Sequence, residues 1–392
     1  MIGEEAAPHY GDWQYEIYLR GTAGERPSHP TSWEELERRA AEALDPEPRG
    51  YVWGGAGTGD TMRANLEAFR RWRIVPRMLR DVAERNLHAT VLGTEMPAPV
   101  LLAPVGVQTI VHPEGELASA RAAAEMGLPF VASTASAHSM EDVARAAGDG
   151  PRWYQLYWPK DDEITKSLVG RAESAGYQAI VVTLDTTLLA WRPADLGHGY
   201  LPFFEGTGVA QFLTDPAFRA TLERTPEEDL QGAVGQWAAV INKILTWEDL
   251  GFLRSLTSLP ILLKGILHPD DAGFALEHGV DGVIVSNHGG RQVDGAIAAL
   301  EALPAVADAV GNDMAVLFDS GIRSGADVVK ALALGADAVL LGRPYLWGLA
   351  LDGQRGVETV LRMLLAELDL TLALSGYRTP AELGRESVQR SD

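Results

Sequence analysis

From residue 99 onward the chain repeats one pattern: a short, wholly apolar run that ends in glycine or polar residues. The runs are PVLLAPVG (99–106), PFVAST (129–134), RWYQLYW (152–158), AIVVTLD (179–185), PILLKGI (260–266), GVIVSNHGG (282–290), AVLFDSGIR (315–323) and AVLLGRP (338–344). Stretches of helical periodicity separate them, such as EGELASARAAAEMG (114–127), ITKSLVGRAESAG (164–176) and GADVVKALALGA (325–336). A strand apolar along its whole length must be buried on both faces, as in a parallel sheet covered by helices. Eight such units predict a (β/α)8 TIM barrel rather than an open doubly wound sheet. The 392 residues are read as one barrel domain, because this fold tolerates long insertions.

Two segments stand outside the repeat. Residues 1–97 form an N-terminal extension, in which TSWEELERRAAEAL (31–44) reads as a helix capped by Ser32 or Thr31. Its YVWGGAGTGD (51–60) reads as a loop and is not a phosphate-binding Walker sequence, since no Gly-Lys-Ser/Thr follows. The second segment lies between the fourth and fifth strands, where residues 186–259 replace the usual short loop and helix. WRPADLGHGYLPFFEGTGVAQFLTDPAF is rich in Gly, Pro and aromatics and predicts a lid over about 190–245.

The net charge of −21 argues against nucleic acid and anionic membranes as partners. Any anion site must then be local, built from a few placed arginines. The chain has no cysteine, so disulfides, a thiolate nucleophile and Cys-ligated metal are excluded, and no metal site is expected. The first residues lack the apolar core of a secretory leader, and no window is long and apolar enough to span a bilayer. A cytoplasmic location is expected.

In a barrel the strand ends point into the C-terminal mouth, where active sites lie. Here they supply Pro104, Val105 and Gly106, then Ser133, Gln155 with Tyr157, Thr183 with Asp185, Lys264, Asn287 and His288 with Arg291, Asp319 with Arg323, and Gly342 with Arg343. Any one could be a surface or capping residue. Together they include one base, a carboxylate able to orient it, a lysine and several arginines. The last two loops, DSGIRSGADV and GRPYLWG, carry Gly321, Arg323, Gly342 and Arg343. That end of a barrel commonly binds phosphate, glycine allowing close backbone approach and arginine supplying the fork. Lys264 could form a Schiff base, as in an aldolase, or donate to an anion developing on a flavin ring. Gln155, Thr183 and Ser133 suit the second role, because they can read carbonyl and N–H edges.

SNHGGRQ after a strand, LLKG upstream of it and DSGIRSGADVVKALALGADAVLLGRP downstream resemble the FMN-dependent α-hydroxy-acid oxidases and dehydrogenases. APVGVQTIVHPEGELASARAAAEMG, QLYWPKD and TLDTTLLAWRPADL extend the resemblance over about residues 50–375. DWQYEIYLRG and the lid are most similar to the family's lactate 2-monooxygenase branch. The resemblance implies FMN as cofactor, a small 2-hydroxy acid and O2 as partners, and a homotetramer or homo-octamer. It implies that His288 takes a substrate proton and that Asp185 stabilises the resulting imidazolium. Arg192 and Arg291 would clamp the carboxylate, with Tyr51 and Tyr157 hydrogen-bonding it or the hydroxyl. Lys264 would stabilise negative charge on the reduced flavin. Pro104–Gly106, Ser133, Gln155, Thr183, Ser286 and Asp319 would line the ring site, and Gly321, Arg323, Gly342 and Arg343 the phosphate.

The activity so implied is oxidation of an L-2-hydroxy acid, lactate favoured, with O2, followed by oxidative decarboxylation of the retained keto acid. A simple oxidase releasing keto acid and H2O2 is the alternative. Two positions depart from the family pattern. Gly106 stands where many members carry alanine, which would enlarge the space beside the flavin. Ser320 stands where glycine is common, and is tolerable where only backbone meets the phosphate. His112 and His138 read as loop or cap residues, His198 as an exposed polar residue of the lid, and Tyr15 and Tyr18 as N-terminal packing residues.

Overall fold

A computed structural model describes residues 9–391; the first residues, on which the reading of the N-terminus rested, lie outside them. Eight parallel strands form a closed barrel: β1 (Val100–Leu102), β2 (Phe130–Ser133), β3 (Arg152–Leu156), β4 (Ile180–Thr183), β5 (Ile261–Ile266), β6 (Gly282–Val285), β7 (Ala315–Phe318) and β8 (Ala338–Leu341). β8 pairs with β1 at Leu341–Leu102 and closes the ring. Each strand was expected, and each lies within its run.

The strands are apolar throughout because their two faces meet two different cores. Leu101, Val131, Trp153, Val181, Leu262, Ile284, Leu317 and Leu340 point inward and fill the barrel. Their neighbours Val100, Leu102, Ala132, Tyr154, Val182, Leu263, Val283 and Phe318 point outward under the helices. The inner layer is plugged at the strand starts by a hairpin, Ala89–Val91 with Thr94–Met96, whose Val91 and Met96 join that core. Any ligand must therefore enter from the opposite, C-terminal mouth.

The N-terminal extension is tied down by a strand, Trp72–Ile74, antiparallel to Val388–Arg390. Ser32 caps the helix Trp33–Ala43 by accepting from the Glu35 N–H. Two expectations need correction. Residues 51–53 are not loop: they finish a helix, Pro46–Trp53, started by its proline pair, and the loop begins at Gly54. Tyr15 and Tyr18 do not pack, since the helix Trp13–Thr22 buries none of its residues and both rings face solvent.

The insertion is more helical than its Gly/Pro content suggested, with helices Pro193–His198, Ala210–Leu213, Pro216–Arg219 and Leu230–Val240 ahead of the barrel's own Asp249–Leu256. Its middle is fixed to the barrel. Asp215, fully buried, caps Pro216–Arg219 and accepts from Arg171 and Ser167. Arg171 also makes a paired contact with Glu141. Gln211 accepts from the Met140 N–H and donates to the His138 carbonyl. Among the described residues no helix is long and apolar enough to cross a membrane.

Candidate active site

The mouth holds a cavity of about 380 Å³. Tyr51, Pro104, Val105, Gly106, Ser133, Tyr157, Arg192, Lys264, His288, Arg291, Asp319, Gly321, Arg323, Gly342 and Arg343 line it. Asp185, Gln155, Thr183 and Ser286 stand directly behind that wall, bonded to or flanking its members. Sequence reasoning thus names residues from every strand end that the fold brings to one place.

His288 follows β6 in a turn whose residues 288, 289 and 290 all have positive φ, at 58°, 64° and 75°. Only Gly290 lets this turn lie against the helix Asp60–Arg71, because a Cβ there would stand 2.6 Å from the Met62 nitrogen. The His288 Nδ1 lies 2.8 Å from Asp185 Oδ1. An ionised carboxylate only accepts, so Nδ1 carries the proton and Nε2 keeps a lone pair for the cavity. Burial holds the imidazole below its ordinary pKa, with Lys264 and Arg192 adding to that effect and Asp185 opposing it. Burial would raise the Asp185 carboxyl, but His288 and Lys264 outweigh it and hold it below the ordinary range. The pair is therefore a neutral base backed by a carboxylate. Room for Asp185 comes from Gly265, at φ 111° where β5 bulges: a Cβ there would lie 2.9 Å from Asp185 Cβ.

Lys264 sits 4% exposed between Asp319 Oδ2 at 3.0 Å and Ser286 Oγ at 2.7 Å. Burial pulls its pKa down, yet Asp319 and Asp185 outweigh burial and hold it above the ordinary value. A lysine held charged is a poor nucleophile, which removes the Schiff-base alternative.

Arg291 donates from Nη1 to the Tyr51 and Gly54 carbonyls at 2.6 and 2.8 Å, and its guanidinium lies 5.0 Å over the Tyr51 ring. Burial, with Arg192 nearby, lowers its pKa to about 10, so it stays charged at neutral pH. Arg192 donates to the Arg291 carbonyl and to Gln292 Oε1. Burial raises the Tyr51 hydroxyl and, with Asp185, raises Tyr157 to about 12, so both remain donors.

At the far side Arg323 lies 5.0 Å over the Trp347 ring. Arg343 donates to the carbonyls of Val52, Gly289 and Gly54. It therefore also braces the end of helix Pro46–Trp53. Burial pushes both guanidiniums down from their ordinary pKa, with Arg291 and Arg323 adding to the effect on Arg343. Four arginines in one buried mouth call for anionic ligands. The buried Gln155 Nε2, Thr183 Oγ1 and Arg323 Nε have no partner in the protein. A donor amide and a hydroxyl on one side, and a guanidinium on the other, fit a heterocycle with a phosphorylated tail such as FMN.

Two readings change. A Cβ on Gly106 would stand 2.6 Å from the carbonyl oxygen of Ala135, which lines the same cavity, so the absent methyl makes room for Ala135 in that wall. His138 is more than a loop residue, since its Nδ1 lies 3.0 Å from the buried Glu116, and Glu116 holds its pKa up against burial. Sequence reasoning missed Gln292, whose Nε2 donates to the Asp185 and Leu188 carbonyls while its Oε1 holds Arg192. Its place beside Arg291 was the available signal. It also missed Asn65, which exchanges two amide hydrogen bonds of 2.8 Å with Asn287.

A model of the FMN-dependent dehydrogenase family matches residues 40–390. The FMN-dependent alpha-hydroxy acid dehydrogenase qulF of Penicillium citrinum is 46% identical over 387 residues, covering 97% of this chain and 96% of that protein. An L-lactate oxidase of Lysinibacillus sphaericus is 45% identical over 378 residues, covering 96% and 97%. A crystal structure of mandelate oxidase superposes with a TM-score of 0.81 at 38% identity, over 92% of this chain and 99% of that one.

Proposed function

The chain belongs to the FMN-dependent dehydrogenase family, and within it we propose a lactate 2-monooxygenase-like reaction on an L-2-hydroxy acid, lactate favoured. The coarser activity, FMN-dependent oxidation of an α-hydroxy acid, follows from the family. The observation that carries the proposal is the pairing of a neutral His288 backed by Asp185 with two cavity-lining arginines, Arg192 and Arg291.

On this reading Arg192 and Arg291 hold the carboxylate by charge-assisted hydrogen bonds. Tyr51 and Tyr157 donate to the carboxylate or hydroxyl. His288 Nε2 takes the proton leaving the substrate, and Asp185 stabilises the imidazolium that forms. FMN, when bound there, would supply the two-electron chemistry that links the substrate to O2. Pro104, Val105, Gly106, Ser133, Gln155 and Thr183 hold its ring. Lys264, kept charged by Asp319 and placed by Ser286, offers a fixed positive charge to the reduced ring. Gly321, Arg323, Gly342 and Arg343 hold its phosphate.

The decarboxylating step needs the keto acid to stay until peroxide attacks it. The balance is then hydroxy acid plus O2 giving the acid one carbon shorter, CO2 and water. The cover over the cavity supports retention. Phe203 and Trp237 stack at 5.1 Å and line it together with Leu201 and Ile241. Beside them Gly208 lies so close to Val107 and Ala135 that no Cβ fits. We take about 190–245 as that lid, and the chain as a cytoplasmic homotetramer or homo-octamer, which light scattering decides. The oxidase reading has its own support: Leu188, Leu189 and Trp191 at the front of the cover are exposed, and relatives of this chain are oxidases.

Anaerobic flavin reduction across a panel of 2-hydroxy acids, followed by aerobic product analysis, tests both. Acetate and CO2 from lactate, without free peroxide, are expected. Pyruvate with equimolar peroxide and no acetate leaves the oxidase reading alone. A flavin that no 2-hydroxy acid bleaches sinks both.

A further inference from the structure

Ser320 is one of six described non-glycine residues with positive φ, at 84°, and it stands two residues past the end of β7, after Asp319. Glycine would take that conformation without strain, so a serine there needs a reason. Its hydroxyl has three bonds. It donates to Asp319 Oδ1 at 2.7 Å and accepts from the Gly289 N–H at 2.9 Å and the Asn287 N–H at 3.3 Å. The other oxygen of Asp319 holds Lys264, and the two accepting contacts flank His288, whose own φ is 58°. On the near side Ser286 repeats the pattern, accepting from both Lys264 Nζ and the His288 N–H.

We propose that Ser320 is a positioning residue whose hydroxyl locks the left-handed turn carrying His288 to the Asp319–Lys264 pair. The base and the charge offered to the cofactor are thereby set by one clamp. This inference rests on the functional reading above for the roles of His288 and Lys264. A residue that merely completes a turn would be served better by glycine, and the side chain is too buried to act on solvent, at 7% exposed.

The test compares Ser320→Gly with Ser320→Ala in the flavin-loaded enzyme. The first removes both hydroxyl and strain; the second removes the hydroxyl and keeps the strain. Three readouts are taken: the melting temperature, the flavin midpoint potential by dye-coupled titration, and the pH profile of anaerobic flavin bleaching. Ser320→Gly should melt within a few degrees of wild type, the relieved strain offsetting part of the lost hydrogen bonds, and Ser320→Ala should melt below Ser320→Gly. In both, bleaching should slow about tenfold, one charge-assisted contact's worth. In both, the potential should fall, because Asp319, no longer shared with the hydroxyl, neutralises Lys264 more fully. A Ser320→Gly enzyme with wild-type potential and wild-type bleaching at every pH overturns the proposal. So does one that melts well below wild type and sheds its flavin, which would make the hydroxyl purely structural. If wild type itself is not bleached by any 2-hydroxy acid, the functional reading fails, while the potential and melting comparison still decides Ser320.

Discussion

Replacing Asp185 by asparagine removes one charge and almost no volume, so its effect can be worked from the geometry. Asparagine can still accept from His288 Nδ1 through its amide oxygen, keeping the ring orientation and tautomer. What vanishes is the negative charge 2.8 Å from the ring that the imidazolium faces once His288 holds a proton. As a lower bound, a hydrogen bond to a charged group contributes about 1.5 kcal/mol or more. As an upper bound, two unit charges at that separation in an effective dielectric of about 20 attract by roughly 6 kcal/mol. Proton transfer in the variant should therefore slow by about tenfold at least and roughly 10⁴-fold at most. The pH profile gives an independent sign. Asp185 favours the charged imidazole, so its loss lowers the His288 pKa further below the ordinary value from which burial already displaces it. The active form is the neutral one. The acidic limb of kcat/KM must then move to lower pH even as the plateau drops. Stopped-flow anaerobic bleaching from acid to alkaline pH reads both. A limb that moves to higher pH, or a plateau within twofold of wild type, refutes the base–carboxylate assignment.

Three further outcomes follow from the same contacts. Gln292→Met frees Arg192 from one of its two hydrogen-bond partners, leaving the Arg291 carbonyl and the more distant Asp195, and should raise the substrate KM about tenfold with a smaller change in kcat; steady-state kinetics with an unchanged KM would contradict this. Lys264→Met leaves Asp319 a buried, unpaired carboxylate and should destabilise the fold by about 3–5 kcal/mol. Most of that should return in the Lys264→Met, Asp319→Asn double variant, as measured by thermal melting. Asp215→Asn removes a buried charge from Arg171 and should cost about 1.5–3 kcal/mol. It should also speed proteolytic nicking within the insertion, and a wild-type cleavage pattern would show that this contact does not anchor it.

What the sequence made legible was whatever depends on period and place. Eight short strands whose inward and outward residues are both mostly apolar have one architecture that buries them, and their polar ends can only face the mouth. That logic reached His288, Asp185, Lys264, Arg291, Arg323 and Arg343 without coordinates; Arg192 and Tyr51 came only with the family resemblance. What it could not reach depends on pairs far apart in the chain. The purpose of Gly106 lies in Ala135, and Asn287 is matched to Asn65, more than two hundred residues earlier. Ser320 looked tolerable where glycine is common, because nothing local reveals that its hydroxyl meets two N–H groups of another strand's loop. The Gly-rich stretch at 51–60 misled in the opposite sense: its glycines are real loop formers, but the three residues before them belong to the preceding helix, whose carbonyls hold Arg291 and Arg343.

The insertion cannot work as one flap. Asp215 and Gln211 are fully buried against the barrel, and lifting that part would strip Arg171 of a partner inside the protein. Movement that admits substrate must come from the front, between Asp185 and Gly208. Within this front Arg192 precedes the helix Pro193–His198 and is held by the Arg291 carbonyl and Gln292. On the proposed reading Arg192 is thus both carboxylate clamp and latch. Oxidation at the α-carbon leaves the carboxylate unchanged, so the keto acid inherits the grip that closed the front over its precursor. Decarboxylation removes that carboxylate as CO2 and leaves a new one on the former keto carbon. A latch of this kind stays shut through the first chemical step, which is the retention that oxidative decarboxylation requires.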